Sequence, residues 1–104
     1  MFAIVWTYDV KPEHVADFER TYASDGEWAV LFSNSEGFHG VELFRGAGGT
    51  YLTVDNWRSE GDFEAFLNQH RAAYDALDRS TEGWTDAEHL IGRFGRHVGG
   101  GSPA

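Results

Sequence analysis

The chain has 104 residues, enough for one domain, with 41% hydrophobic residues, 24% charged residues and a net charge of −9 at pH 7. Its eight basic residues are scattered, which argues against binding to nucleic acid or to an anionic membrane surface. It has no cysteine, which excludes disulfides, thiol nucleophiles, iron–sulfur clusters and cysteine-ligated zinc. The N-terminus lacks the basic segment of a signal peptide, and no run approaches the ~20 apolar residues that span a bilayer. We therefore expect a cytoplasmic protein.

The first part of the chain predicts a strand followed by two helical segments. Residues 2–8 alternate with both faces largely apolar, so both faces of this strand are expected to be covered. Pro12 is well placed in the first turn of a helix, whose apolar stripe then repeats at helical spacing up to Tyr22. Asp25 and Gly26 interrupt this helix, and a second, shorter helical segment follows.

The middle of the chain predicts a hairpin. Residues 38–45 and 51–57 alternate like strands, and a glycine-rich loop joins them. In the second strand, Leu52 and Val54 point one way, opposite to Trp57 and the other odd-numbered residues. By the same parity, Glu42 and Asp55 are predicted on the face away from the helices, each with a structural partner rather than an acid–base role.

The last part predicts a long helix and a closing strand. Ser59 and Asp62 have the spacing of a capping box, and the helix that they begin is expected to reach about residue 79. Residues 85–88 predict one more capped turn, and residues 89–94 a closing strand.

This order predicts an α+β fold, the ferredoxin-like split βαβ arrangement (βαββαβ) with an antiparallel sheet. One helix layer covers one face of such a sheet, and parity places six rings on the other face. These rings are Trp6, Tyr8, Phe38, Phe44, Tyr51 and Trp57. An exposed face so rich in rings predicts a homodimer whose two sheets pack face to face. We expect one domain over residues 1–98 and a disordered glycine-rich tail over residues 99–104.

Several polar residues are candidates for chemistry. His70 lies on the apolar stripe of the long helix, so it is either a histidine at the edge of the core or a pocket-lining base that titrates near neutral pH. Asn56 either directs its amide beneath the helices or satisfies backbone groups. Trp57 is a pocket wall or part of the dimer core, and His39 is expected on the helix-facing side. No histidine has metal-ligand spacing, so no metal site is predicted.

Four segments carry a resemblance to a known family. They are Ala3-Ile-Val-Trp6, Gly37-Phe-His-Gly-Val-Glu-Leu43, Tyr51-Leu-Thr-Val-Asp-Asn-Trp57-Arg-Ser, and Asp62-Phe-Glu-Ala-Phe66 with the trailing His70. From Phe2 to about Phe94 the chain resembles the antibiotic biosynthesis monooxygenase domain family, which has the dimeric α+β barrel fold. The resemblance implies a homodimer with a pocket in each subunit between sheet and helices.

The resemblance also implies a range of functions. Some members oxidise aromatic polyketides with molecular oxygen and no cofactor, so the chain is expected to be a cofactor-independent monooxygenase of a small aromatic molecule, an oxidoreductase. His70, Asn56 and Trp57 are the expected catalytic residues. Substrate contacts are expected from Trp6, Trp28, Phe32, His39, Phe66 and Tyr74. The alternatives are a non-catalytic protein that binds a small ligand and a protein that binds haem. Haem-degrading relatives use a triad of Asn, Trp and His, and the resemblance implies that this chain lacks it: the residue at the position of the triad's Trp, for example, is Phe66.

Overall fold

The computed structural model describes residues 1–97, which form four strands and three α-helices. In chain order these are β1 (Phe2–Val10), α1 (Val15–Tyr22), α2 (Glu27–Phe32), β2 (Phe38–Arg45), β3 (Thr50–Trp57), α3 (Glu60–Thr81) and β4 (Thr85–Gly95). The strands form one antiparallel sheet in the order β2-β3-β1-β4. This is the split βαβ arrangement, and the predicted fold class is confirmed. The predicted tail, 99–104, lies outside the described residues.

The junction between β3 and α3 follows from the predicted capping box. The Ser59 hydroxyl accepts a hydrogen bond from the Asp62 backbone N–H at 3.1 Å and donates one to the Asp62 carboxylate at 2.7 Å. Arg58 adds two bonds to the same carboxylate, at 2.9 and 2.8 Å. These bonds satisfy an orphan donor of the first helical turn and fix the direction in which α3 leaves the sheet.

The capped turn predicted at residues 85–88 is wrong, because these residues begin β4. The strand pairs with β1 over almost its whole length, from Thr85 opposite Val10 to Gly95 opposite Phe2. A ladder of this length satisfies far more backbone groups than one isolated helical turn, so tertiary pairing overrides the local capping signal.

The helices cover the sheet face that carries the largest rings, which reverses the predicted assignment of faces. Tyr8, Tyr51 and Trp57 lie in the core beneath the helices, and Trp6 packs against that core. The reason is volume: α1, α2 and α3 bring their own rings to this layer, and large side chains on both sides fill the space between helix and sheet. Leu52, Val54 and Asn56 therefore point to the opposite side, which we call the open face.

A β-bulge in β2 accounts for part of this difference. The pairing of β2 with β3 shifts between Phe38 and Gly40, and Gly40 has a positive φ of 123°. The extra residue, His39, is exposed rather than turned towards the helices as predicted. Beyond the bulge the parity is reversed, so Phe38 packs on the core while Phe44 lies on the open face with 51% of its surface exposed.

Helix α3 has two parts. Its backbone departs from helical geometry at His70, with φ −124° and ψ 24°. The residues before this point pack Phe63 and Phe66 against Trp57, and the residues after it carry Tyr74 and Asp78. Within residues 1–97, no helix is long and apolar enough to cross a membrane.

Candidate functional site

An aromatic cavity lies between the helices and the sheet. Its cavity volume is about 130 Å³, and it is partly open to solvent. This is below the roughly 300–1,000 Å³ of typical sites for drug-sized molecules, so a ligand seated there must be small or extend into the opening. Six rings form most of its wall: Trp6, Tyr8, Tyr22, Trp28, Phe32 and Tyr74. The remaining lining residues are Val41, Thr53, Asp55, Asp78 and Glu88.

Asp55 is the polar group at the inner wall of this cavity. It lies on β3 two residues after Thr53 and two before Trp57, so it shares their helix-covered face. Asp55 is half-buried, and desolvation by the protein packed around its carboxyl raises its pKa from 3.8 to about 7. Within residues 1–97, no side chain forms a hydrogen bond or an ion pair with it. A carboxyl in this state can both accept and return a proton near neutral pH.

Tyrosine hydroxyls supply the cavity with neutral donors. Burial raises the pKa of Tyr74 and of Tyr22 to about 12 each, so both keep their protons at neutral pH. The Tyr22 hydroxyl donates to Thr81 at 3.2 Å, and the Tyr8 and Thr53 hydroxyls are 3.3 Å apart. Burial also raises the pKa of Tyr8 well above its usual range.

Two further carboxylates lie where the cavity opens to solvent. Asp78 follows Tyr74 by four residues and therefore lies on the same face of α3. Glu88 lies on β4 opposite Tyr8 of β1. Partial burial, together with neighbouring carboxylates, raises the pKa of both groups. The cavity therefore has an acidic opening and a ring-lined interior.

A second cavity adjoins the first and shares part of its wall. Its volume is about 270 Å³, partly open to solvent, and it shares Trp6, Phe32, Asp55 and Tyr74 with the first. Its other lining residues are Ile4, Phe63, Glu64, Leu67, Arg71, Leu90 and Arg93. Arg93 approaches Glu64 at 3.2 Å and Glu60 at 3.7 Å, so its charge is partly compensated.

Four of the residues predicted from the sequence do line the aromatic cavity. Trp6, Trp28, Phe32 and Tyr74 come together there from β1, α2 and α3. The sequence prediction missed its polar residues, above all Asp55, Asp78 and Glu88. Asp55 did carry a signal, because it alternates in step with Tyr51, Thr53 and Trp57, but that set was predicted to lie on the opposite face.

The other predicted site residues lie elsewhere. Trp57 is fully buried, with four phenylalanine rings at centroid distances of 5.3–5.5 Å, and Phe66 belongs to the same packed core. Asn56 lies on the open face, where its amide donates to Glu42 at 3.0 Å. His70 stacks on Phe66 at 5.1 Å and lines a separate surface depression with Arg58 and Asp62.

The three residues predicted as catalytic are thus not brought together. Trp57 is enclosed by rings, Asn56 points away from the helices, and His70 faces the separate depression. In the described part of the chain, no group of three or more His, Asp or Glu side chains is arranged to hold a metal ion.

The fold and the family are shown by comparison with known proteins. The family model described as antibiotic biosynthesis monooxygenase matches residues 1–76. SnoaB from Streptomyces nogalater, described as a cofactor-independent oxygenase, is similar with a TM-score of 0.76 and 19% identity, covering 94% of each chain. A candidate antibiotic biosynthesis monooxygenase from Bordetella bronchiseptica has a TM-score of 0.72 and 21% identity, over 93% of this chain and 97% of that one.

A third similar structure contains a ligand. A mutant of MhuD, solved with two manganese protoporphyrin IX molecules bound per active site, has a TM-score of 0.69 and 24% identity, over 98% of this chain and 100% of that one. No curated protein matches the chain significantly. At these identities, structural similarity shows a common fold and leaves the chemistry to be argued from the site.

Proposed function

This chain belongs to the antibiotic biosynthesis monooxygenase family, and from that membership we propose that it oxidises a small hydroxyaromatic molecule with molecular oxygen and without a cofactor. The observation that carries the proposal is a desolvated carboxyl, Asp55, at the wall of a ring-lined cavity. Flat rings on the cavity wall suit a flat aromatic ligand. The pKa of about 7 suits a general base that works at neutral pH.

In the proposed reaction the substrate itself supplies the electrons. Asp55 removes the proton from a ring hydroxyl and leaves a phenolate. The phenolate passes one electron to dioxygen, and the resulting phenoxyl radical and superoxide combine to form a carbon–oxygen bond. Asp55 returns its proton to the peroxide, which then loses water. One hydroxyaromatic molecule and one dioxygen molecule thus give one quinone and one water.

The protein's part in this reaction is orientation and stabilisation of the anion. Tyr74 remains protonated at neutral pH, so its hydroxyl is a donor available to the developing phenolate oxygen. Trp6 and Phe32, which line both cavities, hold the aromatic plane beside Asp55. We propose Asp55 as the base in preference to His70, because His70 lines the separate depression.

Haem fits these residues poorly. The cavity wall presents three carboxylates, which would repel the propionates of the porphyrin, and His70 lies outside the cavity. A non-catalytic ligand-binding protein would use the same cavity, and oxygen consumption distinguishes it from an enzyme.

We also propose that the chain is a homodimer that buries its open face. This face carries Val5 opposite Val54, and Phe44 opposite Leu52. Phe94 lies beside Ala3 on the same side and, like Phe44, has 51% of its surface exposed. An apolar sheet face of this kind is stabilised by packing on a second copy. Of the six rings predicted for this interface from the sequence, Phe44 lies on the open face, and the other five belong to the core or pack against it.

The test of the proposed activity is oxygen uptake by protein stripped of metal and flavin, measured with a panel of polycyclic hydroxyaromatics. Uptake should occur without any addition, and Asp55→Asn should lower the rate by on the order of 10²-fold. Asp25→Asn, an exposed carboxylate outside the cavity, is the matched control. His70→Ala should keep most of the rate.

Three outcomes would contradict the proposal. Uptake that begins only after flavin, haem or iron is added would refute the cofactor-free mechanism. Tight binding of the panel with no uptake would show a ligand-binding protein. A loss of rate in His70→Ala but not in Asp55→Asn would restore the histidine as the base.

A further inference from the structure

We propose that the substrate carries a protonated amine in addition to its ring hydroxyl, and that Asp78 and Glu88 bind this amine at the cavity opening. This inference rests on the proposed function, and it adds a substrate class, cationic hydroxyaromatics, that membership of the family does not specify. The residues concerned are distinct from the base and from the rings that hold the aromatic plane.

The first support is the composition of the cavity wall. Its described lining residues include three carboxylates and six aromatic rings, but no lysine, arginine or histidine. Carboxylates attract an ammonium group by charge, and ring faces attract it through their quadrupoles. A carboxylate or phosphate on the ligand would instead meet like charges without a compensating partner.

The second support is independent of the acidic opening. Asp55 is half-buried at the wall of the same cavity, and no side chain among the described residues forms a hydrogen bond with it. Since polar groups in folded proteins are nearly always hydrogen-bonded, to protein or to solvent, a carboxyl that faces the cavity without a protein partner is available to a donor on a ligand. A ring hydroxyl supplies that donor, and the amine is left for the other two carboxylates.

The spacing of these groups sets the shape of the ligand. Asp55 lies opposite Ile4 on β1, and Glu88 lies opposite Tyr8, four residues further along the same strand. Four residues of strand extend about 13 Å, and β3 and β4 lie about 10 Å apart on either side of β1. The hydroxyl and the amine are therefore expected at opposite ends of a ligand at least two fused rings long. Asp78 approaches the same opening from α3, which places the amine between helix and sheet.

The arginines of the second cavity do not reverse this preference. Arg71 and Arg93 line that cavity together with Glu64, and they are absent from the lining of the first. Arg93 is also engaged by Glu60 and Glu64. Any anionic part of the ligand would therefore lie beyond Asp55, on the side away from Asp78 and Glu88.

The experiment compares three probes that differ only in the charge at one end of the same ring system. They are 6-(aminomethyl)-2-naphthol, 6-methyl-2-naphthol and 6-hydroxy-2-naphthoate, titrated calorimetrically at low and high salt. The cationic probe should bind at least about tenfold more tightly than the neutral probe, and the anionic probe more weakly than both. The advantage of the cation should decrease as salt is raised.

Variants then assign the preference to residues. Asp78→Asn combined with Glu88→Gln should reduce the cation's advantage to within about twofold while leaving the affinity for the neutral probe unchanged. Glu82→Gln, a neighbouring carboxylate that does not line the cavity, should keep most of the advantage. The single variants serve if the double variant fails to fold.

The outcomes separate this inference from the proposed function. Equal binding of the cationic and neutral probes would overturn the inference and leave the hydroxyaromatic cavity intact. A cation preference that survives the double variant, or that Glu82→Gln also abolishes, would overturn the assignment to Asp78 and Glu88. Binding of none of the probes would refute the cavity as a hydroxyaromatic site, and with it the proposed function.

Discussion

Replacing Asp55 with Asn should change how the stability of this protein depends on pH. Burial raises the pKa of Asp55 from 3.8 to about 7. Between these values the folded protein keeps a proton that the unfolded chain has lost, so the free energy of unfolding falls as the pH rises and levels off above about pH 7. Each tenfold change in the ionisation constant corresponds to about 1.4 kcal/mol, so the ionised carboxyl lowers the stability by at most about 4 kcal/mol.

Chemical denaturation at several pH values measures this effect. Asn has the same shape but does not ionise, so the difference in unfolding free energy between Asp55→Asn and the unmodified protein isolates the one carboxyl. As the pH is raised from 5 to 8.5, the unfolding free energy of Asp55→Asn should increase by about 2–3 kcal/mol relative to that of the unmodified protein. Asp25→Asn, at an exposed position, should follow the unmodified protein. Parallel curves for the unmodified protein and Asp55→Asn would show that the carboxyl is not desolvated and would remove the physical basis for Asp55 as a base.

Two further predictions concern the open face and the cavity. Light scattering should give the mass of two chains for the unmodified protein. Phe44→Glu should give the mass of one chain, because the new charge would be buried in an apolar interface. Val30→Glu, a control at another exposed apolar site, should remain a dimer. A single-chain mass for the unmodified protein would refute the dimer. A bound hydroxyaromatic should quench tryptophan emission. Trp6→Phe should reduce the quenching while Trp57→Phe keeps it, because Trp6 lines the cavity and Trp57 does not. The opposite result would place the ligand elsewhere.

The sequence was sufficient for features that depend on neighbouring residues. The strand and helix periods of residues 2–57, the capping box at Ser59 and the order of the elements predict the split βαβ fold, and the structure confirms it. The exception, the turn expected at residues 85–88, occurs where a local signal competes with a long ladder formed against β1. Pairing of strands distant in the sequence is invisible to a capping rule.

The assignment of faces required the tertiary structure. β1 is apolar on both sides, so alternation sorts its residues into two sets without indicating which set the helices cover. The extra residue at His39 also shifts the parity within β2, and only the pairing with β3 reveals the shift. As a result, Trp57 was predicted as part of the dimer core or as a pocket wall, and it is instead fully buried in the core beneath the helices.

The composition of the cavity also depended on long-range packing. Trp6, Trp28, Phe32 and Tyr74 were predicted to contact substrate because they are large rings, and they do line the cavity. Asp55, Asp78 and Glu88 come from β3, α3 and β4, and nothing in their local sequence links them. These residues line one cavity because the helices pack over one face of the sheet. The same packing desolvates Asp55 and raises its pKa, an effect that no single segment of the sequence encodes.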